Sequence, residues 1–166
     1  THSFRSRMSY VEIMYRRAGE LRENKKLMDN VRKEMQSVLN DFPEEAEAWY
    51  LNGLINMAYA EKKSAIDSYK KALELNNKYL DAMNNLGTVY HRAGDYDKAL
   101  KYYNDILEVD SSYFRVYGNI GMIHHYLEDY DKAILYYRLL LKYNPGDAKI
   151  RKNLEMAERE LDDLKI

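Results

Sequence analysis

The sequence predicts an all-α protein, a stack of antiparallel helix pairs forming one solenoid over residues 1–166, and three observations predict it. Small and aromatic residues return at 34-residue steps: Gly53, Gly87 and Gly121; Tyr69, Tyr103 and Tyr137; Ala65, Ala99 and Ala133. Within each step these residues fall at one-turn helical spacings on either side of a short turn, which is the pattern of a repeated helix–turn–helix unit. The composition agrees: 46% hydrophobic and 32% charged residues, with only two prolines and seven glycines, suit helices better than loops or disorder.

The elements follow in order. Ser9 with Glu12 reads as a capping box, with Met8 stapled on Ile13, so a first helix is expected from Tyr10. Stepping back from the second unit pairs Gly53 with Gly19, Ala65 with Val31, Tyr69 with Met35 and Ala72 with Val38, making residues 12–45 a degenerate first unit. Arg22 stands where an aromatic residue is expected and Lys26 where an inter-helix glycine is expected. The terminal unit of an array has no upstream neighbour, so a solvated polar face accounts for these cations, with a basic patch as the alternative.

Residues 46–79 form the second unit, 80–113 the third, 114–147 the fourth, and 148–166 a capping helix with the apolar stripe Ile150, Leu154, Ala157, Leu161 and Leu164. In the second unit Leu51 and Asn52 are exchanged relative to Asn85 and Leu86, which turns Leu51 to the open face and Asn52 inward, where it needs a hydrogen-bond partner. Asp95/Asp97 and Asp129/Asp131 are placed to cap the helices that follow. Glu128 replaces the turn glycine Gly94, at a cost of about 1 kcal/mol if the left-handed conformation is kept. The recurring glycines and alanines are assigned to close helix packing.

Leu86-Gly87-x2-Tyr90, Ala99-x3-Tyr103 and the closing Asn144-Pro145 are similar to the tetratricopeptide repeat (TPR) family. The resemblance implies a right-handed α–α superhelix whose first helices line a concave groove, and a non-catalytic adaptor or scaffold that binds protein. Carried over by phase, it puts Tyr50, Leu51, Leu54, Asn84, Asn85, Thr88, His91, Arg92, Arg115, Asn119, Met122, His125, Tyr126, Lys149, Lys152 and Asn153 on that groove. Asn85, Asn119 and Asn153 recur in phase there, and their amides can pair with an extended peptide backbone or remain solvated. Arg92, Arg115 and Lys149 favour an acidic or carboxy-terminal segment. The lysine and asparagine of the family's chaperone-tail clamp are matched only in part: Tyr50 and Leu54 stand in one frame, Asn84 and Thr88 in the next, while Asn119 and Lys149 fit. Chaperone-tail binding is therefore not expected.

No catalytic motif appears, and a chain without cysteine has no thiolate chemistry. Adjacent histidines diverge by about 100° on a helix, so His124-His125 is not read as a metal pair, and His124, in phase with Tyr90, is read as packing. No cofactor is expected. A net charge of −1 argues against nucleic acid, despite Arg16, Arg17, Lys25 and Lys26. Two alternatives stand beside the adaptor: self-assembly through array ends or the convex surface, a neighbour's groove taking a segment such as Phe4 to Met8, and nucleic-acid binding. No apolar run approaches the roughly 20 residues that span a bilayer. Cytoplasmic placement is the expectation, and a chain beginning at Thr1 leaves a periplasmic or membrane-anchored parent open.

Overall fold

Among the described residues, three turns between paired helices are built on the same backbone device. Ala60, Gly94 and Glu128, 34 residues apart, all adopt positive φ, at 59°, 78° and 59°. The amide that follows each bonds back to a carbonyl five residues earlier: Glu61 to Asn56 at 2.9 Å, Asp95 to Tyr90 at 3.0 Å and Asp129 to His124 at 2.9 Å. This is the left-handed helix stop of a Schellman-type cap, and it satisfies the orphan carbonyls of the first helix while reversing the chain. The sequence reading holds at Glu128, which keeps the strained conformation, and Ala60 adopts it in the same position.

The computed structural model describes residues 3–20 and 25–164. Among these the order is α1 (Phe4–Glu20), α2 (Lys25–Asp41), α3 (Ala46–Ala58), α4 (Lys62–Leu75), α5 (Leu80–Arg92), α6 (Tyr96–Val109), α7 (Arg115–Tyr126), α8 (Tyr130–Tyr143) and α9 (Ala148–Asp163), with no strand. Arg22 lies outside the described residues, and Lys26 falls within α2. The chain divides into two compact units, Thr1–Ala82 and Met83–Ile166.

In the first unit, Val31, Met35 and Val38 of α2 are buried with Met8 and Val11 of α1 and Ala48, Leu51 and Ile55 of α3. This core corrects the expected start of α1. The helix begins six residues before Tyr10, and Ser3 Oγ accepts the Ser6 amide at 3.4 Å. Ser9 is mid-helix. Met8 is 3% exposed and Ile13 60% exposed, so the two face opposite ways and form no staple. A helix starting at Tyr10 would leave Met8 outside the face it buries. Gly19 has open space around it, unlike Gly53, so it is not a close-approach point.

The hairpin α3–α4 closes over Gly53, where an added Cβ would overlap the Tyr69 ring. Asn52 is turned inward as expected and has found its partner: its Nδ2 donates to Ser68 Oγ at 2.8 Å. Asn56 Nδ2 donates to the same oxygen at 3.2 Å, and Ser68 in turn donates to the Ser64 carbonyl at 2.8 Å.

In the second unit, a Cβ on Gly87 would stand 2.5 Å from the Tyr103 ring, and one on Gly121 would stand 2.7 Å from Tyr137. Asp95 and Asp129 cap α6 and α8, accepting the amides of Lys98 and Lys132, and Asp147 caps α9 through the Ile150 amide at 3.0 Å. Their lysine partners hold the Asp95 and Asp129 carboxyls below the ordinary range, through the side-chain hydrogen bonds first. The stripe of α9 covers the last core: Ile150 and Ala157 are buried with Ala133, Ile134, Tyr137 and Leu140, and Leu154 and Leu161 pack against them. Leu164 is the exception at 70% exposed, because it sits beyond the last turn, past the end of the face it would cover.

Candidate functional site

Two surfaces carry the residues expected to bind, one in each unit. In the first, Tyr50, Leu51 and Leu54 of α3 line a cleft of about 390 Å³ together with Glu12, Tyr15 and Arg16 of α1, Glu47 of α3, and Tyr79. Residues 47, 50, 51 and 54 are three- and four-residue steps along α3, and 12, 15 and 16 repeat that spacing on α1, so each helix presents one face to the cleft. Tyr50 is fixed by its neighbours, its ring centroid 6.0 Å from Tyr69 and 4.9 Å from Tyr79. Tyr15 donates its hydroxyl to the Leu54 carbonyl at 3.4 Å. Burial, then Glu47, raises the Tyr79 hydroxyl well above the usual phenol range, with Glu12 among the smaller contributions. Leu51 is only 5% exposed, belonging to the core while closing this cleft.

In the second unit the expected residues lie on α5, α7 and α9, and packing engages many of them. Thr88 donates to the Asn84 carbonyl at 2.9 Å and lies 3.3 Å from the Tyr103 hydroxyl. Asn84 Oδ1 is buried without a hydrogen-bond partner. His91 sits edge-on to Tyr96, which in turn meets Tyr126 at 5.0 Å. Burial first, and the neighbouring Arg92 second, lower the His91 pKa. Met122 packs against the core.

His125 is held on both sides. Its Nε2 is 2.7 Å from Glu160 Oε2 on α9 and its Nδ1 is 3.3 Å from the Tyr137 hydroxyl. His124 stacks on Tyr136, rings within 1° of parallel, as a packing residue. Its Nδ1 lies 3.3 Å from Asp129 Oδ2 yet is not aligned as a hydrogen bond, so the closeness is electrostatic only. Asn85, Asn119 and Asn153 are half-buried at equivalent places on the three helices. Arg92, Arg115 and Lys149 are exposed and join no ion pair among the described residues. Lys152 borders a smaller cleft of about 160 Å³ with Glu155, Met156 and Arg159.

The sequence reading missed Glu12, Tyr15, Arg16, Glu47 and Tyr79 as a lining. The three- and four-residue spacing of Glu12, Tyr15 and Arg16 is the one signal in the sequence, and it does not show that α3 and Tyr79 stand beside that face.

Among the described residues no group of histidines and carboxylates is arranged to hold a metal, and no helix is long and apolar enough to cross a membrane.

The sequence model described as Tetratricopeptide repeat matches residues 45–112 and 79–144. No curated protein matches. Among solved structures, that of MamA is 27% identical, covering 88% of this chain and 89% of that one with a TM-score of 0.67. Pseudomonas aeruginosa pilF is 19% identical over 95% of this chain and 69% of that one, TM-score 0.79. A tetratricopeptide repeat protein from Parabacteroides merdae is 16% identical over 96% of this chain and 59% of that one, TM-score 0.76.

Proposed function

The chain belongs to the tetratricopeptide repeat family, and from that premise we propose that it is a non-catalytic adaptor that holds an extended segment of another protein against the first helices of its hairpins. The observation that carries this reading is the open cleft beside α3, where Tyr50, Leu51 and Leu54 supply apolar contact and no packing demand explains the opening. On the second unit, Asn119 and Asn153 offer amides to a peptide backbone, Asn85 stands in phase with them, and Arg92, Arg115 and Lys149 offer charge to acidic groups. The repeat frames 12–45, 46–79, 80–113 and 114–147, with 148–166 as a cap, are the division proposed with it.

Partner capture from the native host with the wild-type chain, compared with Tyr50→Ala and with Asn119→Ala/Asn153→Ala, tests the reading. Retention by wild type and loss by either variant is expected. Retention unchanged in both variants sinks it.

Self-association is the second reading, favoured by Tyr10 at 55% and Ile13 at 60% exposed on α1. The version in which Phe4 to Met8 fills a neighbour's groove has no support here, since Phe4 packs 5.3 Å from Phe42 and Met8 is in the core. Light scattering showing only monomer over a wide concentration range removes self-association.

A further inference from the structure

The cleft of the first unit has a chemical character that the sequence did not suggest. Its lining combines two carboxylates, Glu12 and Glu47, with one guanidinium, Arg16, around the tyrosines Tyr15, Tyr50 and Tyr79 and the leucines Leu51 and Leu54. Elsewhere in this unit Glu34 and Asp41 pair with Arg7, and Glu61 pairs with Arg32. Glu12 and Glu47 are exposed and enter no ion pair among the described residues. Two carboxylates against one guanidinium leave the lining with a formal charge of −1.

From this lining we propose that the first-unit cleft is a selectivity pocket for a cationic side chain, an arginine or lysine, on the segment that the adaptor binds; the inference rests on the adaptor reading. Three physical requirements of such a side chain are met. A guanidinium or ammonium gains from ring faces, and Tyr50 is held against Tyr69 and Tyr79 and is not free to swing away. Its charge needs a carboxylate, which Glu47 and Glu12 provide from two different helices. Its methylene stem needs apolar cover, which Leu51 and Leu54 provide. An acidic side chain would meet two like charges, and a neutral apolar one would strip water from carboxylates without replacing it.

Arg16 is the internal competitor. It lies one turn beyond Glu12 on α1, the i, i+4 spacing at which a helical carboxylate and guanidinium can pair. An incoming cation has to displace that tendency, so removing Arg16 should strengthen binding.

The test uses the whole chain and three acetylated, amidated pentapeptides, alanine–leucine–X–leucine–alanine, with X arginine, norleucine or glutamate. Affinity is read by calorimetry and the site by amide and side-chain NMR shifts. The arginine peptide is expected to bind about tenfold more tightly than the norleucine peptide, with the glutamate peptide weakest. Shifts should centre on Leu54 and Tyr79, and added salt should weaken binding.

Glu47→Gln, at an exposed position that leaves the fold intact, should erase the preference for arginine, and Arg16→Ala should increase it. Equal affinities for arginine and norleucine, a preference unaltered by Glu47→Gln, or no binding of the arginine peptide up to about millimolar concentration would overturn the pocket assignment. Shifts centred on Asn119 and Asn153 overturn it too while leaving the adaptor reading in place, which partner capture judges separately.

Discussion

A methyl group on Gly87 would come to rest 2.5 Å from the ring of Tyr103, a side chain with no exposed surface. Alanine is the better helix former by roughly 1 kcal/mol, but overpacking of a core that cannot yield costs about 1–3 kcal/mol, so Gly87→Ala is expected to destabilise. Gly19→Ala is the control: nothing stands within 4 Å of the added atom, and stability should be unchanged or slightly higher. Chemical denaturation of both variants decides it.

The opposite substitution is expected to help at the turns. Ala60 and Glu128 hold φ of 59° that glycine adopts without strain, and Glu128→Gly should gain up to about 1 kcal/mol after glycine's own entropy cost. A lower denaturation midpoint for Glu128→Gly would contradict this. Ser68 gives a third test. Its hydroxyl oxygen accepts from both Asn52 and Asn56, so Ser68→Ala leaves two amides short of an acceptor and should cost about 1–3 kcal/mol.

Helix α9 shows how an element depends on both its cap and its stripe. Asp147 accepts the Ile150 amide, and Asp147→Ala should cost about 0.5–2 kcal/mol. Ile150 is 6% exposed in the last core, and Ile150→Ala should cost about 2–5 kcal/mol, with fraying of α9 visible as faster amide exchange.

Helices α5 and α7 carry histidines in their last turns that set a pH dependence. Burial lowers the pKa of His124 below 6.5, outweighing the pull of Asp129, and burial also lowers that of His91. The unfolded chain therefore binds more protons than the folded one between the lowered value and 6.5. The stability contribution is complete above 6.5 and is lost as pH falls from there towards the folded pKa. His124→Phe keeps a ring to stack on Tyr136 and should flatten the fall in thermal midpoint on acidification. An unchanged pH profile would exclude His124 as a source.

At the scale of the whole molecule, a net charge of −1 sets the expectation for non-specific partners. Of the cations considered for nucleic acid, Arg16 sits in a cleft with two glutamates, which leaves Arg17, Lys25 and Lys26 as three exposed cations. Few phosphates could be neutralised together, so a single-stranded oligonucleotide should bind no more tightly than about 10⁻⁴ M at physiological salt. Tighter binding with a steep salt slope would reopen that reading.

The period of 34 determined the helix pairs, the glycine–tyrosine contacts and the aspartate caps, because each depends on residues one turn or one hairpin apart, and local spacing fixes such contacts. Asn52 was legible for the same reason: exchanging two adjacent residues on a helix rotates each by about 100°, so Asn52 had to enter the hairpin and meet Ser68. The start of α1 was not legible. Ser9 and Glu12 carry a local capping signal, but the burial of Met8 and Val11 against α2 and α3 outweighs it. The cleft was illegible for a different reason. Only the tertiary structure brings Glu12 on α1 beside Glu47 on α3 and the ring of Tyr79, because the field at a surface is a sum over side chains from elements whose relative placement no repeat spacing specifies.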